Sequence, residues 1–219
     1  MENLRISLIG PGDIEFNYKS LLGLSEKKIN SELEKIAKVF VKTDSELELL
    51  PDKGVSFELA KLYKQNKGKR VIGAVPKSDN TFGIKHLEKY INEKINNKDL
   101  FDKIIDSGDW FKHDLIKGLL GDVLLCLGES PGTNGEFNYA VYLHKLINGV
   151  KKYVDSPAEK IHKEIRAGKN IPYTILFYKP FFERKLSKTQ EAYLKKFGID
   201  FYYINNSDEL EEKIIKLRN

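Results

Sequence analysis

Short apolar runs alternate along this chain with longer stretches of helical periodicity. Residues 4–9 are rich in apolar side chains and stop at Gly10-Pro11-Gly12-Asp13, which predicts a first strand closed by a tight turn. Across residues 25–42, Ile29, Leu33, Ile36, Ala37 and Phe40 recur at helical spacing. Ser25 is placed to cap that helix, and Lys28 at its third position leaves the capping box incomplete. Residues 47–50 predict a second strand, 51–54 its turn, 55–66 a second helix, and 71–75 a third strand closed by Pro76. Residues 82–95 have a helical look, 102–105 suit a short fourth strand, and 110–120 suit another helix. The uninterrupted apolar run 123–127 suits a strand buried on both faces. A glycine-rich turn and a helix to about Gly149 follow it. Further on, 173–178 is β-rich, 187–196 is helical and stopped by Gly198, 201–204 is a strand, and 207–217 is a last helix capped by Ser207. Residues 151–170 are charged and carry no strand pattern, so a helical insert or a mobile flap is expected there.

Strands alternating with helices predict an α/β fold with a single domain: a Rossmann-like, doubly wound parallel sheet of about six or seven strands, with helices on both faces. In such a sheet the ligand crevice lies outside the carboxyl ends of the strands. The loops 10–13, 51–56 and 128–136 are therefore expected to converge there.

Composition narrows the function classes. At 219 residues the chain suits one domain with a substantial core. No apolar run approaches the roughly 20 residues of a spanning helix, so no membrane association is expected. The first residues carry no signal-peptide pattern, and the single cysteine, Cys126, rules out an intrachain disulfide; a cytoplasmic protein is the expectation. Cys126 lies within an apolar run, which points to packing. The net charge of +5 resides in residues 150–219, with 15 Lys and Arg against 10 Asp and Glu. No basic block with interleaved aromatics accompanies it, so nucleic acid is not an expected partner. His86, His144 and His162 form no H-x-x-x-H or H-E-x-x-H pair, and no metal site is expected. The chain has no G-x-G-x-x-G pattern, so NAD and FAD are not expected, nor is any other cofactor; without G-x-x-x-x-G-K-[ST] or G-x-S-x-G, neither P-loop phosphoryl transfer nor α/β-hydrolase chemistry is expected.

The richest stretch for chemistry is the strand–turn–helix of residues 122–136. Gly132, Thr133, Asn134 and Gly135 open the helix, where free N–H groups and the positive dipole end favour an anion. They are the candidate phosphate cradle; the plainer alternative makes Thr133 an ordinary cap. Glu136 follows, either complementing the dipole, worth roughly 0.3–1 kcal/mol, or meeting the sugar of a phosphorylated ligand. Gly10, Gly12 and Asp13 form the first such loop, and Gly54 with Ser56 the second; both are candidate ligand contacts, with a geometric turn as the alternative for the first.

Gly132-Thr133-Asn134-Gly135-Glu136 resembles the G-T-x-x-E half of the P-G-G-x-G-T-x-x-E motif of the lonely-guy (LOG) family, once called "lysine decarboxylase-like". Residues 71–76 resemble the family's V-I-G-I-I-P strand, 178–183 its following strand and turn, and 204–214 its last strand and helix. The first half of the motif is replaced by Gly128-Glu129-Ser130-Pro131, and the G-G-G-x-x-G-L-M-G loop by residues 50–58, leaving Lys53 and Phe57 on the base side. The resemblance implies a nucleotide-binding Rossmann-like fold and cleavage of the N-glycosidic bond of a nucleoside 5′-monophosphate. It also implies a glutamate at the ribose, matched by Glu136, and an assembly of identical subunits. The family's motif arginine falls, by count from Asp122, at His113 with Lys112 beside it, and no arginine lies between Arg70 and Arg166. Glu136, His113 and Lys112 are therefore the candidate catalytic residues, although lysine lacks the bidentate fork of arginine. Two classes stay open: a phosphoribohydrolase or related N-glycosidase, and a non-catalytic nucleotide sensor or carrier that lost the arginine.

Overall fold

The computed structural model describes residues 3–149 and 173–218, so the predicted insert at 151–170 lies outside the described residues. The chain runs β1 (Arg5–Ile9), α1 (Glu26–Lys42), β2 (Glu46–Leu49), α2 (Val55–Gln65), β3 (Val71–Val75), α3 (Glu88–Ile91), β4 (Lys94–Ile95), β5 (Lys98–Asp99), β6 (Lys103–Asp106) and α4 (Trp110–Ile116). It continues through β7 (Val123–Cys126), α5 (Pro131–Gly149), β8 (Thr174–Tyr178), α6 (Lys188–Lys196), β9 (Asp200–Ile204) and α7 (Ser207–Arg218). Seven of the strands form one all-parallel sheet in the order β6-β3-β2-β1-β7-β8-β9, with the register Ser7 beside Glu48 and beside Leu124. This is the expected Rossmann-like α/β fold.

The continuous apolar strands are explained by burial on both faces. In β7, Val123 and Leu125 pack with α1, α2 and α7, while Leu124 and Cys126 pack with α4, α5 and α6. β8 divides the same way, Leu176 and Tyr178 against Ile175 and Phe177. Alternate side chains of a strand point to opposite faces, so each run feeds two cores.

The helix expected over 82–95 does not form. Asp79 accepts hydrogen bonds from the N–H groups of Thr81, Phe82 and Gly83 at 3.0, 2.7 and 2.7 Å, and Gly83 takes φ 70°, a left-handed conformation that a right-handed helix cannot run through. Only a 3₁₀ turn (Lys85–Leu87) and the four-residue α3 remain, followed by the β4–β5 hairpin. Asn96 and Asn97 take φ of 51° and 64°, the left-handed conformation that a two-residue hairpin turn requires.

Two caps also differ from expectation. The Ser130 hydroxyl, not Thr133, accepts the first-turn N–H of α5, from Thr133 at 3.1 Å. Asn206, one residue before Ser207, accepts from Glu209 N–H at 2.9 Å to cap α7. Ser25 caps α1 through Lys28 N–H as expected.

Candidate functional site

Strand order reverses between β1 and β7. The loops after β1, β2 and β7 converge at their carboxyl ends, as a doubly wound sheet requires. Between them lies a cleft of about 230 Å³. Its wall takes Leu8, Ile9, Gly10 and Gly12 from β1 and its loop, and Leu50, Asp52, Lys53 and Ser56 from the β2 side. Ser130, Gly132, Thr133 and Glu136 come from α5 and its approach, and Asp114 and Lys117 from α4 and its end. The first two loops are locked together: Val55 N–H donates to Pro11 O at 3.1 Å, and Gly54 sits at φ 125° with Pro11 O only 2.5 Å from where a Cβ would stand. A side chain at Gly54 is excluded on both counts. The buried Tyr18 hydroxyl donates to Leu127 O, tying the first loop to the end of β7.

Lys117 and Glu48 form the polar heart of the site. Both are 1% exposed, and Lys117 Nζ donates to Glu48 Oε2 at 3.0 Å and to Leu8 O at 3.2 Å. Ser7 Oγ adds a 2.6 Å hydrogen bond to the same carboxylate oxygen. Three buried polar atoms close by in sequence or space lack partners among the described residues: Glu48 Oε1, Ser56 Oγ and His113 Nε2. Buried polar groups are ordinarily bonded, and of these three residues Ser56 is the one on the cleft wall.

Glu136 is half-buried by area, with its carboxylate turned to the cleft wall. Burial pushes it up to about 7; the charge of Lys117 opposes the rise, and Asp114 and Glu48 add to it. Asp114 is raised by burial as well. His113 is fully buried, and burial together with Lys117 lowers it to about 3, so its imidazole is neutral at ordinary pH. Its Nδ1 is paired with Ser107 Oγ at 2.7 Å. A ring nitrogen of His113 and one oxygen each of Asp114 and Glu136 lie within 4.8 Å of one another. Nothing in the histidine spacing foreshadowed that cluster, because its carboxylates come from a neighbouring position and from another helix.

Of the residues singled out in the sequence, Gly10, Gly12, Ser56, Gly132, Thr133 and Glu136 line the cleft. Gly54 does not line it and packs against Pro11 and Gly12 where the first two loops are joined. Asp13 faces outward, its carboxylate accepting Phe16 N–H at 2.9 Å to start the turn Glu15–Leu21. Lys112 is exposed, and its N–H is used by the Asp109 cap. Asn134 is exposed, and Gly135 has open space around its Cα; neither lines the cleft. His113 lies just behind the wall, and Phe57 is 4% exposed in the core. Ser130 takes two of the cradle's expected donors, Thr133 N–H on its hydroxyl and Asn134 N–H on its carbonyl at 2.8 Å. Gly132 is left as the first-turn N–H not used by Ser130. Glu136 is the sixth residue of α5, beyond the first turn, so dipole complementarity does not account for it.

Lys117, Glu48 and Asp114 were missed by sequence reasoning. The one available signal was spacing: Lys117 follows Asp114 by three residues and His113 by four, which puts it beside each of them on a helix. Cys126 is buried and its thiol is pushed up by burial and by Glu136, in keeping with packing.

No protein-family model matches the chain, and no curated protein matches it. Solved structures do. A molybdenum cofactor binding protein from the phototrophic bacterium Rippkaea orientalis is 16% identical, with TM-score 0.55 over 100% of this chain and 99% of that one. The molybdenum cofactor carrier protein MCP from Chlamydomonas reinhardtii is 18% identical, with TM-score 0.52 over 99% of both. The structural-genomics target TM1055 is 12% identical, with TM-score 0.57 over 97% of this chain and 99% of that one. At such identities the likeness establishes the fold alone, a Rossmann-like α/β sheet.

Proposed function

We propose that this protein binds a phosphorylated small molecule, of the nucleotide or molybdenum-cofactor class, and carries it without cleaving it. The observation that carries this reading is the Ser56 hydroxyl, buried without a partner at the second position of α2 on the cleft wall. Leaving such a group unpaired costs roughly 1–3 kcal/mol, which a phosphate oxygen relieves. Gly132 and the hydroxyl pair of Ser130 and Thr133, 2.9 Å apart, line the same cleft and supply further donors. Carriage is favoured over cleavage because the cation beside Glu136 is not free: Lys117 is engaged by Glu48 and by Leu8 O. Two structural neighbours are described as binding or carrying the molybdenum cofactor, a small phosphorylated molecule, which supports the same reading.

One observation favours a second reading. A carboxyl held near pH 7, as Glu136 is, suits general acid–base work on an N-glycosidic bond, the activity that the LOG resemblance implies. The resemblance also implies a homodimer.

Calorimetry with nucleoside 5′-monophosphates, and with molybdenum cofactor transferred from a donor protein, tests the proposal. One ligand class should bind at one equivalent. Ser56→Ala and Thr133→Val should each weaken it roughly tenfold or more, as loss of a hydrogen bond to a charged group (~1.5–3 kcal/mol) implies. Free base should not accumulate. Base release that Glu136→Gln abolishes would replace carriage with hydrolysis, and indifference of both variants' affinity would remove the cleft from the account.

A further inference from the structure

We infer that His113, Asp114 and Glu136 together form a site for one divalent transition-metal ion on the α4–α5 wall of the cleft. Their donor atoms already lie within 4.8 Å of one another. An ion with bonds of about 2.0–2.2 Å needs its donors only somewhat closer than that, a change within reach of side-chain rotation.

Each donor is short of a partner. The His113 side chain is fully buried, its Nδ1 is occupied by Ser107 at 2.7 Å, and Nε2 has no hydrogen-bond partner. A second-shell oxygen on one ring nitrogen is the usual arrangement for a ligating imidazole, because it orients the ring and leaves the other nitrogen for the metal. Asp114 and Glu136 make no hydrogen bond or ion pair among the described residues, although both stand on the cleft wall. Two carboxylates on the cleft wall thus stand close to a buried imidazole that keeps one ring nitrogen unpartnered among the described residues.

The surroundings suit a charge of +2. Lys117 is the nearby cation and is paired with Glu48 at 3.0 Å, and the Asp114 and Glu136 carboxylates stand beside that pair. The scaffold is rigid: Gly118, just after α4, lies so close to α5 that a Cβ there would stand 2.6 Å from the Ala140 Cβ. One nitrogen and two oxygens favour a borderline ion such as Zn²⁺ or Co²⁺ over Ca²⁺ or Mg²⁺, which prefer oxygen alone. Three protein donors leave a position open towards the cleft, where water or an oxygen of a bound molecule would complete the shell. The site does not rest on the phosphorylated-ligand reading, because the metal is tested alone.

Untagged protein stripped with a chelator and titrated with Co²⁺ should show visible d–d bands saturating at one equivalent, and Zn²⁺ should displace them. Asp114→Asn should weaken Co²⁺ binding at least tenfold, and His113→Gln should do so while also shifting the bands as the nitrogen donor is lost. Should the buried His113 variant fail to fold, Asp114→Asn alone decides. Absence of a stoichiometric Co²⁺ spectrum in the wild type, or an Asp114→Asn protein that binds as tightly as wild type, overturns the inference. Phosphorylated-ligand binding measured in chelator-treated protein stands or fails separately.

Discussion

Lys117 and Glu48 show how much one residue pair can hold. Each is 1% exposed, and among the described residues the pair is bonded further only through Ser7 and Leu8 O. Removing one partner strands the other charge in the interior, which typically costs about 3–5 kcal/mol, whereas replacing both is often near neutral. Lys117→Met should therefore lower unfolding free energy by roughly that amount in urea titration, and Glu48→Gln combined with Lys117→Met should recover part of it. A single variant as stable as wild type would show that the pair is not desolvated in solution. Neither residue was legible beforehand. Lys117 has the spacing of a solvated helix face, and Glu48 lies in Glu46-Leu47-Glu48-Leu49, an alternation that reads as a strand with one wet side. Glu48 is buried because β2 is an inner strand covered on both faces, a property of strand order and not of the strand.

At the scale of elements, the segment after β3 is organised by a carboxylate instead of by helical periodicity. Burial alone would raise Asp79, but the N–H groups of Gly83, Phe82, Trp110 and Thr81 outweigh it and hold the carboxyl below its ordinary value of 3.8. Because the folded value is the lower one, the stability this carboxylate contributes is present above about 3.8 and lost as pH falls through the depressed value. Amide exchange at Thr81, Phe82 and Gly83 should thus stay protected at neutral pH and lose protection first on acidification. Asp79→Asn should show reduced protection already at neutral pH. Protection that is the same in that variant would mean the carboxylate is incidental to the loop. The helix expected at 82–95 is interrupted in the same loop: apolar spacing was present, but Gly83 stands at φ 70° inside the turn that Asp79 holds. The α5 cap lies outside its motif too, Ser130 standing two residues before the Gly132–Glu136 stretch that drew attention.

For the whole molecule, the chain runs from β1 outward to β6, then returns to β7 and runs outward to β9. That reversal opens the cleft and brings α4 beside α5. The outer face of α5 exposes Tyr139, Tyr142 and Leu146, and Tyr193 of α6 stands beside it, lining with Tyr142 a groove of about 330 Å³. If the proposed homodimer uses this face, sedimentation velocity should report a dimer and Tyr142→Asp should shift it to monomer with the fold intact. A wild-type monomer at micromolar concentration would remove the dimer from the reading.

The local signals were sufficient for element type along most of the chain, and for the class of fold. Apolar runs fed two faces, helical stripes packed beside them, and strand–helix alternation requires a parallel sheet with its loops at one end. These properties arise from neighbours in sequence, so they are written in periodicity. The contents of the cleft are not. Ser56, Lys117, Glu48, Asp114 and His113 acquire their chemistry from partners on other elements, and from the loss of water when those elements close around them. The distance between His113 and Glu136 in the chain holds no trace of their approach in space; only the packing of α4 against α5 beside the strand reversal creates it.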